Sequence, residues 1–427
     1  MRSEVIAARP SAFDIGPAAS DEAVEVAPGV WMSEGLSNSF LIVTDDGRIV
    51  VNCGMGFEAG HHRRLFDAVD DGPVRYILLT QGHVDHVGGV DHFRDENTVL
   101  IAQAANPACQ ADDARIHRFR VRRSAPYWAD AIAKADEFIR SQPDGAAIPG
   151  QSSPVPDVLF EDRYEFECGG RRIELFSVPG GETLDSAVVW LPDDRVALVG
   201  NVFSALFGHF PNLVTLRADR LRFALPFIAA VETVVALEPE VLATGHFGVL
   251  RGRELIAAEL RLVADAVRFV HDATVEGMNA GVDLETLMST IELPPELAIG
   301  EGYGKVSWGV RAIWEGYAGW FHARSTTELY PIRPLATAPD LVELAGGAAA
   351  VAAAARRRLD TGDAVAAVQL AEVALAADAG DPDALRVCRD AHEKLLADHD
   401  RENFWLTGWL THQVAGLDSR LASEVDR

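Results

Sequence analysis

The stretch TQGHVDHVGG, residues 80–89, crowds His83, Asp85 and His86 into a single turn ahead of two glycines. Imidazole and carboxylate groups on one turn can aim at a common centre, and that donor set suits zinc, iron or manganese. A catalytic ion also needs donors from elsewhere in the chain and a position open to water. Side chains of suitable type occur at Glu182 in PGGETLDS, at Asn201 in VGNVF and at His246 in ATGHFG. Two residues before His83, where one more histidine would extend the set, stands Gln81.

The elements that must position these groups are legible as short apolar runs. SFLIVT (39–44) and RIVVN (48–52) flank Asp45-Asp46-Gly47 and predict a hairpin. Residues 57–70 predict a helix, and VRYILL (74–79) predicts the strand that delivers the opening turn. DRYEFE, RRIELFSV, SAVVWL, RVALVG and EVLATG predict further strands, 219–236 a helix and 253–279 a long amphipathic one. The candidate donors thus fall at strand ends, where loops gather at one edge of a layered sheet. Between about 105 and 142 an Arg- and Ala-rich helical stretch interrupts the strands and ends in the Pro/Gly/Ser loop SQPDGAAIPGQSSPVP. Such an insertion is either a lid over the site or a packed helical spacer. From 336 the chain turns Ala-rich, and TGD and AGDPD divide it into at least three helices.

The whole chain has 427 residues, is 48% hydrophobic and carries a net charge of −26. It is long enough for two or three domains, and its charge repels phosphate backbones, which excludes nucleic acid as an expected partner. No apolar run approaches the length of a membrane span, and neither a signal peptide nor a membrane dock is expected. The four cysteines form no CxxC pair, so a cytoplasmic, reducing-compartment protein is expected.

With the motifs in order, TQGHVDHVGG resembles the HxHxDH signature of the metallo-β-lactamase superfamily. PGGETLDSAVVWLP resembles the segment of its third ligand, RVALVGNVF the strand whose end supplies a bridging acid or a cysteine, and ATGHFG the last ligand loop. NLVTLR (212–217), EGYGKVSWGVRAIWEGYAGWF (301–321) and ENFWLTGWL (402–410) resemble segments of the alkyl sulfatase branch. The resemblance implies an α/β fold, an αββα metallo-β-lactamase sandwich followed by an all-α dimerisation domain. It divides the chain into a catalytic domain over 1–262 with the insertion at 105–150, a linking segment over 263–335, and a helical repeat-like dimerisation domain over 336–427. It implies a metal-dependent hydrolase that cleaves a sulfate ester or related small anionic substrate with activated water, and a homodimer.

The resemblance also sorts the residues. His83, Asp85, His86, Glu182 and His246 are the metal positions; Gln81 and Asn201 are altered ligand positions, and Asn52 replaces the aspartate usually found beneath the metals. One position keeps Asp85, His86 and His246, whereas the other keeps only His83 and Glu182. Amide oxygens bind transition metals far more weakly than imidazole or carboxylate. A divalent ion is therefore expected, zinc first and iron or manganese as alternatives, with one ion held tightly and a second as the alternative. His83 and Glu182 are then free for acid–base work, and Asn212, Thr215 and Arg217 are expected to hold the substrate anion. His209 is read as a solvent-facing loop residue, with a replacement ligand as the alternative. Two other functions compete: an iron-dependent oxidation in a biosynthetic pathway, and a non-catalytic binding or dimerisation protein with a decayed site.

Overall fold

The apolar runs of the N-terminal region fold as four antiparallel strands, β1 (Val24–Ala27), β2 (Val30–Ser33), β3 (Ser39–Thr44) and β4 (Gly47–Val51). The turn between β3 and β4 is the expected hairpin: Gly47 adopts φ 125°, and Thr44 Oγ1 donates to its carbonyl at 2.7 Å. Three parallel strands extend this sheet, β5 (Val74–Leu78), β6 (Val99–Gln103) and β7 (Val158–Phe160). A second sheet follows, ordered β13-β12-β11-β10-β9-β8, with β8 (Arg163–Cys168), β9 (Arg171–Ser177), β10 (Ala187–Leu191), β11 (Val196–Gly200), β12 (Val241–Thr244) and β13 (Leu250–Arg251). Only β11 and β12 run parallel in it.

Strand side chains alternate between faces, and both faces are used here. Phe40, Ile42, Ile49 and Leu78 meet Leu175, Val189 and Leu198 between the two sheets. Leu41, Val50, Ile77 and Leu79 turn the other way, onto Phe66 of the helix Ala59–Asp67. Beyond the second sheet, Val188 and Val199 pack with Phe227 of helix Ala224–Leu237 and Val267 of helix Arg253–Asn279. Full burial of a side chain such as Phe40 stabilises the fold by about 1.5–3 kcal/mol. The layers are therefore helix, sheet, sheet, helix, the sandwich expected from the resemblance.

This computed structural model describes residues 5, 8–143, 148–213, 216–217, 220, 222–399 and 401–425. The chain divides into two compact units, Met1–Tyr317 and Ala318–Arg427. The second unit is helical, with Ala338–Leu344, Ala348–Asp360, Ala364–Ala377, Pro382–Asp398 and Phe404–Val425. Its breaks follow the local chemistry. Gly362 takes φ 90°, Asp363 caps the next helix through the Ala366 amide, and Asp381 caps the one after through Ala384 at 2.7 Å. Ala355, Ala371, Leu385, Cys388 and Leu417 form one of its cores. Among the described residues no single helix is long and apolar enough to cross a membrane.

One boundary differs from the sequence reading in a way that matters. The helix expected over 219–236 begins at Ala224. Pro226 has no N–H to spend on residue 222, so the helix starts where that donor is not required. Arg222 lies ahead of it, and Phe223 is extended.

Candidate active site

Backbone turns at the strand ends bring the motif residues together. Beyond β4, Asn52 adopts the left-handed region at φ 54°, and its Oδ1 accepts from the Thr80 amide while its Nδ2 donates to Thr80 Oγ1, both at 3.0 Å. Asn52 thus straps the ends of β4 and β5 just before Gln81. His83 then caps the four-residue helix Val84–Val87, which carries Asp85 and His86. Parallel pairing of Gly200 with Thr244 places Asn201 beside the loop of His246. Gly200 and Gly245 leave no room for a Cβ against Thr80 and Asn201 respectively. Glu182 sits in the loop between β9 and β10, where Ser186 Oγ accepts from its amide at 3.2 Å.

Asp85, His86 and His246 form one half of the site. His86 is fully buried; its Nδ1 lies 3.2 Å from Ser37 Oγ, and its Nε2 has no hydrogen-bond partner and lies 3.5 Å from Asp85 Oδ2. His246 is buried, is hydrogen-bonded to the Leu36 backbone, and keeps Nδ1 without a hydrogen-bond partner. Burial pushes the His86 imidazole down to about 4 and lowers that of His246 as well, so both rings are neutral and able to donate lone pairs. Burial raises the Asp85 carboxyl, but His86, His246, His83 and Arg217 outweigh it and hold the group below its ordinary value.

Gln81, His83, Glu182 and Arg222 form the other half. Gln81 Nε2 lies 2.9 Å from Glu182 Oε2 and 2.9 Å from His83 Nδ1. A carboxylate only accepts, so the group facing it is the NH2 of Gln81; His83 Nδ1 faces both that NH2 and, at 3.6 Å, Glu182 Oε2, accepting from Gln81 in the Nε2–H tautomer and pairing with Glu182 when it carries the proton. Arg222, 6% exposed, places Nη1 3.1 Å from the other oxygen of Glu182. Burial raises the Glu182 carboxyl, yet Arg222, His83 and Arg217 pull it well below the usual carboxylate range.

Both halves open on a cavity of about 700 Å³, whose wall includes Ala114, Val121, Trp128, Ile132 and Ala135. These belong to the helix Asn106–Ser141, which is the expected insertion. Arg217 and Tyr303 line the polar end together with His83, Asp85, Glu182 and His246. Tyr303 is buried, and burial pushes its phenol upward, so the hydroxyl stays protonated. Its loop is zipped to the chain beside it: Gly304 N donates to Phe210 O at 3.0 Å and Gly302 N to His209 Nδ1 at 2.9 Å. His209 is consequently a buried loop anchor, and the expectation of a solvent-facing residue is corrected. Asn212 is buried away from the cavity lining, and its carbonyl accepts from Arg222 at 3.3 Å. Thr215 lies outside the described residues. Sequence reading missed Arg222, which carries no motif of its own, and gave Tyr303 no role beyond its place in the segment 301–321; the glycines on either side of it, Gly302 and Gly304, were the signal for a loop.

The two halves differ in their fitness for an ion. Among the described residues no three His, Cys, Asp or Glu side chains gather tightly enough to hold a metal as they stand. The test is therefore the chemistry of the donors. Buried ring nitrogens of His86 and His246 without hydrogen-bond partners, beside the Asp85 carboxylate, are a donor set that fits a divalent ion. At the other position one Glu182 oxygen accepts from the Gln81 amide and the other is paired with the Arg222 guanidinium, an arrangement that does not fit a divalent ion.

Comparison with known proteins places this geometry among relatives. The model of the metallo-beta-lactamase superfamily matches residues 32–246, and that of the alkyl sulfatase dimerisation family matches residues 284–411. A linear primary-alkylsulfatase of Pseudomonas sp. is 29% identical over 324 residues, covering 72% of this chain and 60% of the relative. An (R)-specific secondary-alkylsulfatase of Pseudomonas sp. is 25% identical over 433 residues, covering 94% of this chain and 64% of the relative. The solved structure of a stereoselective inverting sec-alkylsulfatase from Pseudomonas sp. shares the fold at a TM-score of 0.78 and 22% identity, covering 93% of this chain and 66% of that one. The chain thus spans 60% and 64% of the length of these two curated relatives.

Proposed function

The chain belongs to the metallo-beta-lactamase superfamily, and we propose that it hydrolyses sulfate esters with the help of a divalent metal ion, zinc first among the candidates. The observation that carries this reading is the cavity itself. One end gathers Arg217, Tyr303, Asp85 and His246, with His86 buried beside Asp85, and helix Asn106–Ser141 lines much of the rest, with Ala114, Val121, Trp128, Ile132 and Ala135 as its apolar part and Asp113, His117 and Arg120 as its polar part. An ester with an anionic sulfate head and an organic group matches that division. The relatives named above as alkylsulfatases support the same class.

Asp85, His86 and His246 would hold the ion, which supplies Lewis acidity and lowers the pKa of water. Ser37 and the Leu36 backbone fix the His86 and His246 rings. Arg217 and the protonated Tyr303 bind the sulfate oxygens, the first as a planar charged fork and the second as a neutral donor. In the Nε2–H tautomer His83 enters as a donor, with the Gln81 NH2 on its Nδ1. Glu182, held low and paired at both oxygens, keeps its charge and positions its neighbours. The alkyl sulfatase dimerisation match supports a homodimer.

The test is inorganic sulfate release from a panel of esters of graded chain length, before and after chelation and metal return. Release that disappears with chelator and returns with the ion is expected. A metal-replete protein that frees no sulfate from any ester overturns the proposal.

A further inference from the structure

Arg222 and Gln81 meet the two oxygens of Glu182 from different parts of the chain. Nη1 of Arg222 lies 3.1 Å from Oε1, and Nε2 of Gln81 lies 2.9 Å from Oε2. The second hydrogen of the same amide goes to His83 Nδ1 at 2.9 Å. Arg222 is further fixed by its bond to the Asn212 carbonyl at 3.3 Å. We propose that the Arg222 guanidinium and the Gln81 amide together take the place of a second metal ion, holding His83 and Glu182 with the protein's own charge and hydrogen bonds. The inference rests on the reading that Asp85, His86 and His246 hold an ion, and it concerns the position beside them.

Two physical points favour it over a weakly filled second ion site. A guanidinium does not lose its proton in proteins, so its charge cannot be dismissed to admit a cation. An ion at this position would face Arg222 while competing with it for the same carboxylate. Gln81 could offer an ion its carbonyl oxygen only by turning its NH2 away from Glu182 and His83 together. That would leave a buried carboxylate and a buried ring nitrogen short of a donor. The arrangement is closed on itself, with a fixed positive charge where a divalent ion would otherwise be needed.

The experiment is metal stoichiometry by elemental mass spectrometry after exhaustive dialysis, with electron paramagnetic resonance of the cobalt-loaded protein. Wild type should hold a single ion with a magnetically isolated signal. The Gln81→His/Arg222→Met double variant, which restores an imidazole and removes the guanidinium, should take up a second ion and show spin coupling. Two tightly bound ions or a coupled signal in wild type overturn the inference, as does a folded double variant that still binds one. If the double variant fails to fold, the wild-type signal alone decides. Sulfate release is scored separately. A wild type with two ions that frees sulfate keeps the functional reading and loses this one; a wild type with one ion that frees none does the reverse.

Discussion

On one side of the site, His86 and His246 keep buried ring nitrogens with no hydrogen-bond partner beside Asp85; on the other, Glu182 has both oxygens paired, with Arg222 and with Gln81. The histidines of the first half are as buried as the residues of the second, and only Asp85 is half-buried, so burial alone does not separate them. The difference lies in who supplies the positive charge. A buried carboxylate must be compensated, and in the second half the protein does this with a cation of its own. In the first half the facing groups are neutral imidazoles, which cannot neutralise Asp85 but can join it in binding an ion. The same fold edge thus carries a receptor for a cation and a finished ion pair.

The largest expected effect comes from breaking the finished half. Arg222→Met leaves Glu182 buried without its charge partner, and loss of one member of a buried pair costs roughly 3–5 kcal/mol. The pH dependence has a definite sign. The Glu182 carboxyl sits below its ordinary value of 4.5 in the folded state, so its stabilisation is complete above the carboxylate range and is lost as pH falls through the folded value. Denaturant unfolding should therefore show the full gap between wild type and variant at neutral pH, closing in acid. A gap that is unchanged across that range would mean Arg222 acts only through packing.

The receptor half should respond in metal binding rather than in stability. His246→Ala removes a proposed ligand. Loss of groups that merely orient ligands weakens metal affinity about 10–100-fold, so this variant should exceed about 100-fold, measured by competition with a chromophoric chelator. Arg217→Ala tests the link from both halves to the substrate. A charge-assisted hydrogen bond contributes about 1.5–3 kcal/mol, so kcat/KM for sulfate release should fall by about 13- to 160-fold with metal content unchanged. Equal kcat/KM in the variant would remove Arg217 from the sulfate site.

Much of this was legible in the sequence, for identifiable reasons. The strands Ser39–Thr44, Val74–Leu78 and Val196–Gly200 are short, largely apolar runs, and the helix Arg253–Asn279 has clear amphipathic spacing, so period and length alone reveal them. The turn carrying His83, Asp85 and His86 is local, and its glycine-flanked motif travels with it. What was not legible depends on chain crossings. Arg222 reaches Glu182 because Pro226 delays a helix, and nothing in the types of residues 222 and 182 announces that they pair. His209 is an ordinary loop histidine in sequence, and only the approach of the Gly302 amide makes it an anchor. The altered residue Gln81 was visible as a departure, but its two hydrogen bonds, which give the departure meaning, join positions 2 and 101 residues away.

Tyr303 is the group at which the two halves meet, since its phenol feels Arg217, Glu182, Arg222 and Asp85 at once. Tyr303→Phe removes one neutral hydroxyl and keeps the ring that fills the buried position. A neutral hydrogen bond contributes about 0.5–1.5 kcal/mol, so the loss in kcat/KM should be only about 2- to 13-fold, smaller than for Arg217→Ala. Because the hydroxyl is placed on the sulfate and away from the ion, the loss should be the same with zinc and with cobalt bound. Metal affinity should not move. A change in affinity would put Tyr303 in the receptor half, and an unchanged kcat/KM would leave it as packing for the loop that His209 holds.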